Sequence, residues 1–199
     1  MANDSTIWNV PNKISAARLV LSVVFFALLP WQFYGWGFAI FVLAAGTDWV
    51  DGWYARKYDQ VTKLGRVLDP FCDKILICGA YILLAVEMAG KFPWYESIAG
   101  WMAVVVVGRE LLVTVLRSMI EGAGGDFSAR MAGKLKMVFQ CVAVGASLVA
   151  LAMYSNEGGV AELPTWLRIT VAASVWLSVV STLHSGWLYV LAAAEYFKD

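Results

Sequence analysis

Six apolar stretches follow one another along this 199-residue chain, each about as long as the roughly 20 residues needed to cross a bilayer. They run approximately 15–31, 34–57, 66–89, 94–120, 133–154 and 166–194. This layout predicts an all-α fold, a polytopic membrane bundle of six transmembrane helices. Composition agrees: 60% of the residues are hydrophobic, 15% are charged and 10 are Trp, which is too apolar for a soluble globule of this size. Local chemistry marks the boundaries. Pro30-Trp31 closes the first stretch, Lys91-Phe92-Pro93-Trp94 separates the third from the fourth, and Asn156 through Pro164 separates the fifth from the sixth. Trp31, Trp36, Trp94 and Trp166 suit an interfacial aromatic belt. Residues 5–15 mix apolar and polar side chains and are read as a short N-terminal interfacial helix. No repeat or low-complexity segment is evident, so residues 1–199 are treated as one domain.

Charge says more through its distribution than its sum. The formal net charge is zero, which gives no reason to expect a nucleic acid partner. Lys13 and Arg18 open the first stretch, while Arg56, Lys57, Lys63 and Arg66 fill the second-to-third connection. Arg109, Arg117, Arg130, Lys134 and Lys136 surround the fourth-to-fifth, and the alternate side holds only Lys91 and Arg168. The positive-inside rule then puts both termini and the charged helix ends in the cytoplasm, and those ends are expected to project beyond the hydrocarbon. Short loops and a polar N-terminus without a cleavage site suggest a bacterial inner membrane and an uncleaved start. Cys72, Cys78 and Cys141 lie in apolar segments without zinc-like spacing and are read as small buried hydrophobes.

Against this background, four carboxylates stand out: Asp48, Asp51, Asp69 and Asp73. Acids at membrane depth are costly and tend to be functional. Asp48 and Asp51 are three apart, Asp69 and Asp73 four apart, so each pair shares a helical face and two facing helix ends could present one cluster. Gly52 and Ala55 fall on the same stripe as the first pair, with Arg56 at its edge, and would let a bulky group lie close to the backbone. Pro70 is expected in or near the first turn of its helix. Four carboxylates without a cation of their own repel one another, so something positive must sit among them. Oxygen-only ligands favour Mg²⁺ or Mn²⁺, and a pair of such ions makes a phosphoryl-transfer centre. Helix-end acids favoured by the dipole would account for Asp69 and Asp73, but not for Asp48 and Asp51 toward the C-terminal end of their helix.

The full pattern, DxxDGxxAR, eight residues, then GxxxDxxxD, fixes eight identities at set spacings between Asp48 and Asp73. It resembles the signature of the CDP-alcohol phosphotransferase family. That resemblance implies six membrane spans with a cytosolic site, a substrate with a CDP leaving group, an alcohol acceptor and two divalent ions. By the same resemblance Asp48, Asp51 and Asp69 hold metal. Asp73 completes the second metal site and acts as base on the acceptor hydroxyl, and Gly52, Ala55, Arg56, Thr62 and Gly65 line the cytidine diphosphate. A homodimer is also expected on this ground alone.

Three flanking segments, Val10 to Arg18, Gly108 to Arg117 with Gly133 to Lys136, and Ser181 to Tyr189, resemble the branch of the family that makes phosphatidylglycerol phosphate from CDP-diacylglycerol and glycerol 3-phosphate. A phosphorylated acceptor needs cations, and Arg109, Arg117 and Lys134 are the candidates on the same cytosolic side. Lys136, two residues from Lys134, is passed over because one helix cannot easily aim both at one pocket. Ser15 and Met137 depart from the branch, each standing where Thr is expected. Asn12 and Arg18 are candidates to meet the lipid diphosphate or to anchor the first span. His184, beside Ser181 and Ser185, is expected to take a hydrogen-bonded packing role, and Gly100, Gly108 and Gly145 to mark close helix contacts. Two alternatives stay open. One is the same chemistry on another acceptor, such as inositol phosphate, or phosphatidylglycerol as in a cardiolipin synthase. The other is a divalent-cation channel or transporter built on the same carboxylates.

Overall fold

Where the sequence runs apolar the chain is helical. The structure, a computed structural model, describes residues 10–58, 65–122, 131–157 and 163–196, with the side chains of 10–11, 48–58, 65–70, 121, 131–134, 156–157 and 195 outside that description. Its helices are α1 (Val10–Leu28), α2 (Tyr34–Tyr58), α3 (Gly65–Met88), α4 (Gly100–Gly122), α5 (Met131–Glu157) and α6 (Thr165–Tyr196). No strand occurs among the described residues. Packing is most extensive between α5 and α6, α1 and α2, α1 and α3, and α4 and α6, and α5 also touches α2 and α3. The core joins Phe25, Phe41, Tyr81, Met102, Leu148 and Leu151, all at most 2% exposed.

The bundle carries hydroxyls in its interior and large apolar side chains on its outside. Ser147, Ser178, Thr182 and Ser185 are completely buried, whereas Trp36, Val86 and Val104 are 70%, 67% and 72% exposed. The interior hydroxyls mostly find partners close by. Tyr81 donates to Ser178 Oγ at 2.7 Å, which donates to the Val175 carbonyl at 2.7 Å, and Gln140 donates to Thr182 Oγ1 at 3.2 Å. Among the described residues two helical segments, Leu135–Ser155 and Thr165–Ala194, are long and apolar enough to cross a membrane. The six predicted spans correspond to six helices, but length and hydropathy alone do not carry the other four across. The first 18 residues of α4, for example, include Arg109, Glu110 and Arg117.

Several boundaries differ from the sequence reading. Helix α1 begins at Val10 with Pro11 in its first turn, so residues 10–15 continue into the first span instead of forming a separate surface helix. Pro70, the sixth residue of α3, lies in the second turn and so near the first, as expected. Residues 94–96 form a 3₁₀ turn ahead of α4. That turn is pinned to α6: Arg168 makes two hydrogen bonds of 2.8 Å to Glu96, and Trp176 Nε1 donates to the Tyr95 carbonyl at 3.2 Å. At the end of α3, Gly90 takes φ +73°, a left-handed conformation open to glycine, and the Lys91 and Phe92 amides return to the Met88 carbonyl at 3.1 Å. The glycine contacts also differ. A Cβ at Gly100 or Gly108 would meet nothing within 4 Å, because both face an open apolar groove between α3 and α4. Gly145 does lie close to a neighbour, Phe38, at 3.5 Å, and a Cβ at Gly79 would collide with the Phe26 ring.

Candidate active site

The aspartates sit where two antiparallel helices meet at one end of the bundle. Asp48 and Asp51 belong to the last three turns of α2, and Asp69 and Asp73 to the first three of α3. The side chains of Asp48, Asp51, Gly52, Ala55, Arg56 and Asp69 lie outside the described set, as do Thr62 altogether and the surroundings of Gly65. Asp73 is described, and its carboxylate is 27% exposed. The first turns of α1 close over this end, with Asn12, Ser15 and Arg18, spaced by three, 2%, 0% and 0% exposed. Arg18 Nη1 meets Asp73 Oδ1 at 2.5 Å and Arg18 Nε donates to Thr47 Oγ1 at 3.4 Å. Ser22 Oγ donates to the Arg18 carbonyl at 2.8 Å, and Cys72 Sγ approaches the Ser15 carbonyl at 3.5 Å. One of the four carboxylates, that of Asp73, therefore has a cation of the protein's own beside it. A fully buried guanidinium survives desolvation only with such a partner, so Arg18 is tied to the acid end and is not a membrane anchor.

A second charged cluster is assembled from α4, α5 and α6. Arg109 is the tenth residue of α4, its side chain 9% exposed. The sequence reading placed it at a projecting helix end; it lies mid-helix, facing α6. Its Nη2 donates to Ser185 Oγ at 3.1 Å, and its Cζ stands 5.4 Å from the centre of the Tyr189 ring. Nη1 reaches the Glu110 carboxylate only at 3.4 and 3.5 Å, the long limit for a hydrogen bond. Glu110 is instead taken up by Lys136, whose ammonium makes the close contact with Oε1. Arg109 Nε and Arg117 Nε are both buried without a hydrogen-bond partner. The side chain of Lys134 lies outside the described residues.

Residues 8–184 match the family model for CDP-alcohol phosphatidyltransferase. The chain belongs to the CDP-alcohol phosphatidyltransferase family. It is 34% identical to the CDP-diacylglycerol–glycerol-3-phosphate 3-phosphatidyltransferase of Bacillus subtilis (strain 168), over 92% of this chain and 94% of that protein. Enzymes of the same name from Rickettsia prowazekii (strain Madrid E) and Cereibacter sphaeroides are 29% and 25% identical, over 95% and 96% of this chain and 97% and 98% of theirs. This CDP-alcohol phosphatidyltransferase is accordingly an enzyme, which removes the channel or transporter alternative.

In this phosphatidyltransferase, the structure brings Arg18 onto Asp73 and leaves Arg109 in a different cluster, with Arg117 two helical turns further along α4 and no contact between the two arginines among the described residues. Two members of that second cluster, Glu110 and Lys136, were missed as partners. Lys136 is 6% exposed and points inward from α5. A signal was present, since Glu110 directly follows Arg109 and a buried acid needs a cation, but sequence alone did not say which lysine would supply it. His184 is exposed on α6, so the packing role expected for it does not apply. Among the described residues no group of three or more His, Cys, Asp or Glu could hold a metal, and three of the four signature aspartates lie outside that set.

Proposed function

We propose that this chain is an integral membrane enzyme that transfers the phosphatidyl group of CDP-diacylglycerol to glycerol 3-phosphate, releasing CMP and phosphatidylglycerol phosphate. The names of its relatives support the reaction. The observation that carries the acceptor is Arg109. Its guanidinium is buried, it shares the neighbouring Glu110 carboxylate, at 3.4 Å, with Lys136, and its Nε has no hydrogen-bond partner among the described residues, so it keeps donor capacity for an anionic group. All six helices cross the bilayer in this reading, in keeping with the apolar exterior and hydroxyl-bearing interior. The acid end faces the cytoplasm, on the side rich in Lys and Arg.

The donor set of the signature, four carboxylates on facing ends of α2 and α3 without Cys or His, fits a hard divalent cation. Asp48, Asp51, Asp69 and Asp73 would hold one or two Mg²⁺ or Mn²⁺ ions, which when bound offset negative charge on the diphosphate and the departing CMP. Gly52 and Ala55 let the cytidine diphosphate lie against α2, with Arg56, Thr62 and Gly65 beside it and Asn12 at the lipid phosphate, while Arg18 acts there through the Asp73 carboxylate it meets. Arg109, Arg117 and Lys134 hold the phosphate of glycerol 3-phosphate. Asp73 takes the proton from the acceptor hydroxyl as its oxygen bonds to the phosphorus bearing the lipid. The bond from that phosphorus to CMP breaks, and CMP leaves with its electron pair.

The test is CMP release from CDP-diacylglycerol by protein purified in detergent with Mg²⁺ or Mn²⁺, with and without glycerol 3-phosphate, and with Asp73→Asn as control. Release that requires glycerol 3-phosphate and stops in the variant is expected. Release that requires inositol phosphate or phosphatidylglycerol instead would overturn the acceptor and leave the transfer chemistry standing.

A further inference from the structure

Arg109 is held by one short stretch of α6. Ser185 Oγ donates its proton to the Thr182 carbonyl at 3.1 Å, so its lone pairs are turned toward Arg109 Nη2, which donates to it at 3.1 Å. One residue on, Gly186 lies so near the stem of the arginine that a Cβ there would stand 3.1 Å from Arg109 Cγ, tighter than ordinary contact. One turn further, the Tyr189 ring, 3% exposed, sits under the guanidinium. Hydroxyl, bare backbone and ring thus meet three parts of one side chain, and none of them carries a negative charge. Among the described residues the carboxylate beside it is Glu110, which reaches Arg109 Nη1 at 3.4 Å and is shared with Lys136 from α5.

We propose that Ser185, Gly186 and Tyr189 form a neutral cradle that orients the Arg109 guanidinium for the acceptor phosphate, and that Lys136, by sharing Glu110, limits how far that carboxylate offsets the arginine's charge. The inference rests on the reading of Arg109 as an acceptor-phosphate ligand and deepens it. These four are positioning residues, which act through Arg109. A cradle of this kind fixes direction without consuming charge, whereas a carboxylate would do both. It also explains why the cation passed over in the sequence serves the site: Lys136 sets the charge that Arg109 can offer.

The experiment measures KM for glycerol 3-phosphate and, separately, KM for CDP-diacylglycerol in Arg109→Gln, Ser185→Ala, Ser185→Thr and Gly186→Ala. Ser185→Ala is expected to raise KM for glycerol 3-phosphate about tenfold, the size of one lost hydrogen bond to a charged group, and Gly186→Ala, whose Cβ would push the arginine stem aside, to raise it in the same direction. KM for CDP-diacylglycerol should stay near that of the unmodified enzyme, and Ser185→Thr, which keeps the hydroxyl, should restore most of the loss. Equal rises in both KM values, or no rise for glycerol 3-phosphate in the α6 variants while Arg109→Gln raises it, would overturn the cradle. An unchanged KM for glycerol 3-phosphate in Arg109→Gln would overturn the acceptor reading itself and the cradle with it. Should Gly186→Ala fail to fold, the Ser185 pair decides alone.

Discussion

Two buried arginines, Arg18 and Arg109, are held in opposite ways. Arg18, completely buried, meets the Asp73 carboxylate at 2.5 Å, so its charge is matched within the protein. Arg109, with its side chain 9% exposed, meets a hydroxyl and an aromatic face at close range, while Glu110, at 3.4 Å, is shared between it and Lys136. A guanidinium whose charge is matched internally shapes the group it pairs with. One oriented mainly by a hydroxyl and a ring, and sharing its carboxylate with a second cation, retains more charge for a ligand. The difference divides the molecule into an acid end where α1, α2 and α3 converge and a basic cluster where α4, α5 and α6 do.

The largest expected effect breaks the acid end. Asp73→Asn removes the proposed proton acceptor and should lower the rate of CMP release by about 10²–10⁴. It also leaves the buried Arg18 without a full negative charge, so its thermal unfolding temperature should fall, and Arg18→Met combined with Asp73→Asn should recover part of that loss. If the double variant is less stable than Asp73→Asn alone, the matching of charge assigned to this pair is wrong.

Lys136→Met tests the basic cluster from the other side. With the lysine gone, the Glu110 carboxylate is left buried, and the expected cost is about 3–5 kcal/mol, read by denaturant or thermal unfolding. Glu110 would then turn to Arg109, so KM for glycerol 3-phosphate should rise as well. Arg109→Gln sharpens the contrast, since Glu110 keeps its lysine. Stability should change less than in Lys136→Met, whereas KM for glycerol 3-phosphate should rise about 10- to 100-fold. The reverse ranking in stability would mean that Arg109 is the main partner of Glu110.

The smallest effect belongs to the opposite end of the bundle, away from both clusters. Lys91 bonds to Tyr34 Oη at 3.1 Å and to Glu87 at 3.3 Å. Burial alone pulls its pKa down, but these hydrogen bonds and charges outweigh it and leave the pKa raised. The contribution of Lys91 to stability is therefore complete below the ordinary lysine value of 10.5 and fades only as pH rises through the higher folded value. Unfolding measured across that window should show the loss, and Glu87→Gln should reduce it while leaving CMP release unchanged.

The acid signature was legible because its members lie within 26 residues at helical spacings, and such local periodicity survives into the fold. Six helices were legible for a similar reason, since apolar runs separated by Pro, Gly and charge leave few other places for helix ends. The basic cluster was only partly visible. Arg109 and Ser185 are 76 residues apart and Lys136 and Glu110 are 26 apart, so no window of sequence shows that they meet. Charge placement identified Arg109 as a candidate but set it at a projecting end, because a count of cations registers side and not depth. For the same reason Lys136 was passed over: its partner becomes apparent only once α5 packs beside α4 and α6.

Sequence by itself determined the all-helical class of fold, the family and the spacing of the acid pattern, all of which depend on composition and short-range order. Tertiary structure decided which charges are matched. It put Arg18 onto Asp73, Lys136 onto Glu110, and Arg109 against a hydroxyl and a ring. The physical reason is that pairing in a low-dielectric interior depends on separations of a few ångströms between helices far apart in sequence, and only their packing sets those distances.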